Sequence, residues 1–181
     1  KITCGSWKDI WLNEGLTEYM AGLVVEEFDN AASFVSWKNS KINNITSSPT
    51  GATYLTDLEA LNSSRIFSGR LTYNKGSMIT HMLRWKMGDV AFFNALNTYL
   101  ADPALAYGYA VTSNFKSHLE TAYGASLTEF FNDWLYNQGY PTYDIVAQNW
   151  GAGQAKIIVN QTQSDASVSF FEMPLQIRLS G

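Results

Sequence analysis

The sequence predicts a mainly α-helical protein that turns to β structure near its end. Three observations predict this. Apolar residues recur at helical spacing through most of residues 9–139. Capping and stop residues separate these runs. After Pro141 the period changes to short stretches rich in Ile, Val, Tyr and Phe.

Asp9 to Phe28 reads as a long apolar-rich helix. Asn30 is placed to cap a second, with Phe34, Val35, Trp37 and Ile42 as its apolar positions. The turn residues Thr46-Ser47-Ser48-Pro49-Thr50-Gly51 form a loop. Residues 54–67 are ambiguous: Thr56 and Glu59 have capping-box spacing, but no long periodic run follows. A third helix spans Gly69 to Met87 and stops at Gly88. Asp89 caps a fourth, which ends before Asp102-Pro103. Thr112 to Tyr123 is a fifth, stopped by Gly124. Ser126-Leu127-Thr128-Glu129 is a capping box for a sixth, which Gly139 stops. Strands are expected at 143–146, 156–159, 168–171 and 175–179. The expected division is a helical part, 1–141, and the incomplete opening of a β-sandwich-like domain, 142–181.

Composition excludes several classes. Of 181 residues, 46% are hydrophobic and 15% charged, enough apolar surface to exclude a disordered chain. Only 13 Gly and 4 Pro exclude a collagen-like one. A net charge of -4 argues against nucleic acid as partner. The single cysteine, Cys4, cannot form an internal disulfide or a thiolate zinc site, and reads as a small buried residue. No apolar run approaches the roughly 18 residues of a membrane-spanning helix. Both ends, Lys1 and Gly181, are expected to be cuts in a longer protein. The low charge and the many Trp, Tyr, Asn, Ser and Thr lean toward a secreted or periplasmic setting without fixing the compartment.

On a wheel at about 100° per residue, Glu14 shares a face with Trp7, Ile10, Trp11, Thr17, Glu18 and Ala21. The opposite face holds Leu12, Leu16, Tyr19 and Leu23, as in a buried helix. A carboxylate in such surroundings must find a cation, a metal or a proton. On spacing alone a structural salt bridge outweighs metal ligation for Glu14 and Glu18. In the third helix Tyr73 shares its face with Gly69, Gly76, Ser77, Thr80 and Arg84, while Leu71, Met78, Met82 and Trp85 form the far, packing side. Tyr73 is therefore either a rim residue or a phenol aimed into a cleft, able to donate to developing negative charge. The Gly69–Arg84 face is the expected cleft wall. His81 and His118 match no helical ligand pair, so packing or surface roles outweigh a zinc site with Glu14. No phosphate-binding glycine loop or Gly-x-Ser-x-Gly elbow occurs.

Three stretches appear in order: Trp11-Leu12-Asn13-Glu14-Gly15, Tyr73-Asn74-Lys75-Gly76, and Asp133-Trp134-Leu135-Tyr136-Asn137-Gln138-Gly139-Tyr140-Pro141. Together they resemble the aminopeptidase-N-type zinc metallopeptidases, the gluzincin aminopeptidases of peptidase family M1, over about residues 1–141. The resemblance implies the helical lobe of a thermolysin-like catalytic domain, followed by the first strands of a β domain. It implies Glu14 as the third zinc ligand and Tyr73 as the catalytic tyrosine that stabilises the tetrahedral intermediate. Glu18 and Asp9 are candidate groups behind the metal ligand, Asp9 alternatively a helix cap.

The family's His-Glu-x-x-His element and its amine-gripping strand motif do not occur in this sequence and are expected upstream of Lys1. A catalytic zinc site needs three protein ligands and an open position. The resemblance thus implies zinc in the parent protein, no zinc bound by this chain alone, and a chain inactive by itself. Its implied partners are a peptide substrate and the remainder of the catalytic domain. Competing readings are a noncatalytic helical scaffold related to such peptidases and an unrelated helical binding domain.

Overall fold

The computed structural model describes residues 1–178. A short strand, β1 (Thr3–Cys4), leads to Ser6, whose hydroxyl accepts from the Lys8 N–H and opens a single 3-10 turn, Trp7–Asp9. Ile10 passes the chain into α1 (Trp11–Phe28). Asn30 caps α2 (Ala31–Ile45) as expected, its Oδ1 accepting from the Ser33 N–H at 2.9 Å. Such a cap typically contributes about 1 kcal/mol. Phe34 is buried and stacks on Trp37, but Val35 and Ile42 are exposed, so the apolar face of α2 is narrower than its sequence suggests.

Thr56 and Glu59 do close a capping box: Glu59 N–H donates to Thr56 Oγ1 at 3.2 Å and Thr56 N–H to Glu59 Oε2 at 2.8 Å. It opens only the turn Glu59–Leu61, followed by α3 (Ser63–Ile66), because no apolar stripe follows to hold a longer helix. Ser68 then caps a π-helical stretch, Gly69–Lys75, which runs directly into α4 (Gly76–Met87). Gly88, at φ +79°, stops it.

This π stretch overturns one expectation. A π turn holds more residues than an α turn, so a wheel of constant period drawn through Gly69–Arg84 loses register. Gly76, Ser77 and Thr80, expected on an open cleft wall, are buried with Ile79 and Leu83. Trp85, expected on the packing side, is exposed, and Met78 and Met82 are half-buried.

The remaining helices are α5 (Asp89–Ala101) and α6 (Thr112–Tyr123), the latter stopped by Gly124. Gly88, not Asp89, precedes α5, and the Asp89 carboxylate binds Arg84 instead. Between them β2 (Tyr109–Ala110) pairs in parallel with β1, Thr3 opposite Tyr109 and Cys4 opposite Ala110. The expected sixth helix is divided into α7 (Thr128–Phe131) and a second π stretch, Asn132–Tyr136. Its capping box does not form; Ser126 Oγ accepts from the Thr128 N–H at 3.2 Å.

β3 (Pro141–Gly151) and β4 (Gln154–Gln163) form an antiparallel hairpin with Ile145 opposite Val159. The strands expected at 168–171 and 175–179 are not formed through residue 178, and Leu179 lies outside the described residues. Val168 and Phe171 instead bury against the helices, Phe171 with its ring centroid 4.6 Å from that of Trp134. The Gln161 side-chain amide satisfies the Phe171 backbone, accepting from its N–H at 2.7 Å and donating to its C=O at 3.0 Å. A side chain thus does the work of a neighbouring strand. One core, built on Trp11, Tyr19, Ile79, Leu83, Phe92, Phe115, Phe131 and Leu135, joins α1, α4, α5, α6 and the α7 region.

Candidate functional site

Glu14 lies in the first turn of α1, where the exposed N–H groups of the helix end favour a carboxylate. Three contacts fix that turn. Trp11 is fully buried, and its indole N–H donates to Thr112 Oγ1 at 2.9 Å. Asn13 Oδ1 accepts from the Cys4 N–H at 2.9 Å and its Nδ2 donates to Thr3 Oγ1 at 3.0 Å, pinning β1 to the helix. Gly15 meets Gly76 at the crossing with α4.

Asn13 and Glu14 stand between two cavities. One, about 390 Å³, is walled by Leu12, Leu16, Met20 and Leu96; the other, about 430 Å³, by Trp7, Ile10, Cys4 and Phe67. In the second, Trp7 and Phe67 meet edge to face with ring centroids 6.0 Å apart.

Tyr73, on the π stretch, is brought to Glu14. Its phenol pKa is raised, first by burial, then by the neighbouring Glu14 carboxylate and the negative charge of Glu18. A phenol is protonated at neutral pH in any case, so the hydroxyl is a donor there. Glu14 is half-buried and, among the described residues, makes no ion pair with Lys, Arg or His. A half-buried carboxylate without a cation is a group suited to ligate one. Among the described residues no three His, Cys, Asp or Glu side chains converge, so Glu14 would be a single ligand of a site completed by other residues.

The other expected residues go elsewhere. Glu18 forms an ion pair with Lys41 of α2. Asp9 is buried and caps not α1 but α6: its Oδ1 accepts from the Thr112 N–H at 2.8 Å and from Thr112 Oγ1 at 2.7 Å. His81 Nδ1 lies 3.1 Å from the Tyr19 hydroxyl, and burial, then Lys38 and Arg84, lower its pKa to about 4. His118 sits 3.0 Å from Asp102. Neither histidine is grouped with Glu14. Arg84 does not line a cleft but binds Glu26 at 2.6 Å and Asp89 at 2.8 Å. Cys4 is only half-buried.

Sequence reasoning missed Asn13, Lys41, Lys75 and the glycine pair. Lys75 is buried, its ammonium held by the Gly51 carbonyl at 3.2 Å, with its pKa lowered to about 8 by burial and then by Arg70 and Arg65. The signal for the glycines was their place, each directly after a motif residue within an apolar helix.

Comparison with known proteins places the chain among relatives. Residues 1–134 match the family model of the peptidase family M1 domain. The chain is 24% identical over 191 residues to probable aminopeptidase 2 of Sulfurisphaera tokodaii, covering 99% of this chain and 23% of that protein. It is 24% identical over 188 residues to aminopeptidase N of Lactococcus lactis subsp. lactis, covering 99% of this chain and 22% of that protein. The chain thus spans less than a quarter of these relatives. Among solved structures, Legionella pneumophila aminopeptidase A in complex with aspartic acid matches with a TM-score of 0.68 at 19% identity, over 88% of this chain and 18% of that one. A mutant M1 zinc metallopeptidase from Deinococcus radiodurans, bound to a Tyr-Ser-Ala substrate, matches with a TM-score of 0.62 at 23% identity, over 74% of this chain and 29% of that one. With the family model covering most of its length, the chain belongs to peptidase family M1.

Proposed function

We propose that this chain is the rear part of the catalytic domain of a zinc aminopeptidase, which removes N-terminal residues from peptides. The observation that carries the reading is a half-buried Glu14 without a cation partner among the described residues, set between two cavities, with Tyr73 near enough for its charge to raise the phenol pKa. Glu14 would supply one carboxylate ligand to zinc, the other ligands coming from the polypeptide upstream of Lys1. Zinc, when bound, acts as a Lewis acid on the scissile carbonyl and acidifies a water. Tyr73 donates its hydroxyl hydrogen bond to the oxygen that gains negative charge as the peptide carbonyl becomes tetrahedral. A phenol carries its proton at neutral pH, where an ionised carboxylate could not donate. The cavity walled by Trp7 and Phe67 beside Glu14 is of side-chain size and supports a peptide as substrate. The helical part, 1–141, would belong to the catalytic domain, and the hairpin would open a β domain.

The test is Tyr73→Phe in the full-length protein. Loss of one such donor costs about 10²–10³ in turnover. Zinc content should stay unchanged while hydrolysis of an aminoacyl-anilide falls by that factor. Hydrolysis near the unmodified rate would remove the assigned role. A protein with neither zinc nor hydrolysis before substitution would favour a noncatalytic scaffold.

A further inference from the structure

We infer that the Gly15–Gly76 contact is a positioning element that sets the separation of Glu14 and Tyr73 and thereby the turnover of the site; the inference rests on the peptidase reading above. Neither glycine is needed for its backbone conformation: neither has a positive φ, and Gly76 sits at φ -58°, ordinary helix. In a helix, glycine is less stable than alanine, so its presence twice at one crossing calls for another cause.

The cause is the approach of two backbones. A Cβ on Gly15 would lie 2.9 Å from both Cα and C of Gly76 and 3.2 Å from the Thr72 carbonyl oxygen. A Cβ on Gly76 would lie 3.0 Å from Gly15 Cα. These obstacles are backbone atoms, which cannot turn aside as a side chain does. Glu14 precedes one glycine by one residue, and Tyr73 precedes the other by three. Thr72, whose carbonyl abuts Gly15, is fully buried beside Tyr73. Any widening of the crossing therefore moves the carboxylate and the phenol apart. Restoring ordinary contact, about 3.5–4 Å between carbons, takes roughly 0.6–1.1 Å of movement. A misplacement of about 1 Å can cost on the order of 10²-fold in rate.

Gly22 supplies a matched control on the same helix. A Cβ there would meet the Trp37 ring of α2 at 2.7 Å, two turns from Glu14, so its substitution strains the fold without widening the crossing with α4.

The experiment uses the full-length protein with Gly15→Ala, Gly76→Ala, Gly22→Ala, Tyr73→Phe and the double variant Gly15→Ala/Tyr73→Phe. Tm, zinc content, kcat and KM on an aminoacyl-anilide are measured for each. The expected result is a kcat loss of about 10–100-fold for Gly15→Ala and Gly76→Ala, with KM within about threefold. Gly22→Ala should keep its kcat at a comparable loss of Tm. The double variant should be scarcely slower than Tyr73→Phe, because a displaced phenol and an absent one are the same defect. If Gly15→Ala fails to fold, the single tight contact of Gly76→Ala carries the test. Equal kcat losses in Gly22→Ala, losses that multiply in the double variant, or failure of both alanines to fold would overturn the positioning role. Intact turnover in Tyr73→Phe would overturn the peptidase reading and this inference with it; a damaged Tyr73→Phe beside an intact Gly15→Ala would overturn this inference alone.

Discussion

Replacing Asp9 by alanine separates a structural carboxylate from one that supports a metal ligand. Asp9 is 3% exposed, and its Oδ1 accepts from the Thr112 N–H at 2.8 Å and from Thr112 Oγ1 at 2.7 Å. Thr112 Oγ1 in turn accepts from Trp11 Nε1 at 2.9 Å, so one chain of bonds joins the start of α6 to the start of α1. Hydrogen bonds to a charged group are worth about 1.5–3 kcal/mol each. Removing the carboxylate also relieves its own desolvation, which offsets part of that sum. The net expectation is a destabilisation of about 3 kcal/mol, with Asp9→Asn smaller because it keeps one acceptor. The assay is denaturant unfolding of the full-length protein followed by tryptophan fluorescence, with zinc content measured beside it. Zinc should stay in the folded Asp9→Ala protein. A stability change below about 1 kcal/mol, or zinc lost from a protein of unchanged stability, would refute the reasoning.

Three further outcomes are expected. Glu14→Ala should weaken zinc retention in the full-length protein; unchanged zinc after dialysis against a chelator would contradict ligation. Lys75 binds its proton less tightly in the folded state, with a pKa of about 8, than in the unfolded chain, near ~10.4. The folded state then binds fewer protons between those values, and this group's contribution to stability rises with pH across that window. Lys75→Met should be more stable than the unmodified protein at pH 7, by roughly 3 kcal/mol at most, and the gap should narrow by pH 10; a gap constant with pH would count against the buried cation. Gln161→Ala should expose the Phe171 backbone amide to faster hydrogen exchange and cost about 1–2 kcal/mol; unchanged protection would mean that the 164–173 segment is held by Phe171 and Val168 alone.

The helices were legible wherever local chemistry decides them. Asn30 and Gly124 bound α2 and α6 where the residues predict, because a cap and a left-handed stop act within one turn. The π stretches at 69–75 and 132–136 were not legible, since their residues carry no local mark of a wider turn. The loss of register hid the real face of α4, and with it the burial of Gly76, Ser77 and Thr80. Glu14 and Tyr73 were legible as residues in motifs and were expected to face one void, but the close approach of Gly15 and Gly76 beneath them was not, because the two glycines are distant in sequence. Asp9 reads either as a group behind a metal ligand or as a helix cap, because it stands just before Glu14 along the chain. Its hydrogen-bond partner, Thr112, was not legible, because it is distant in sequence. The segment 168–171 read as a strand, yet Val168 and Phe171 recur three residues apart and serve as anchors in the core.

The central claim is that Glu14 and Tyr73 belong to one zinc site, completed by the polypeptide upstream of Lys1. The most direct measurement is anomalous diffraction at the zinc edge from crystals of the full-length protein. The account predicts a zinc peak about 2.0–2.2 Å from a Glu14 carboxylate oxygen, with the Tyr73 hydroxyl facing the same opening. A zinc peak remote from Glu14, or a Tyr73 hydroxyl turned away from it, would contradict the account.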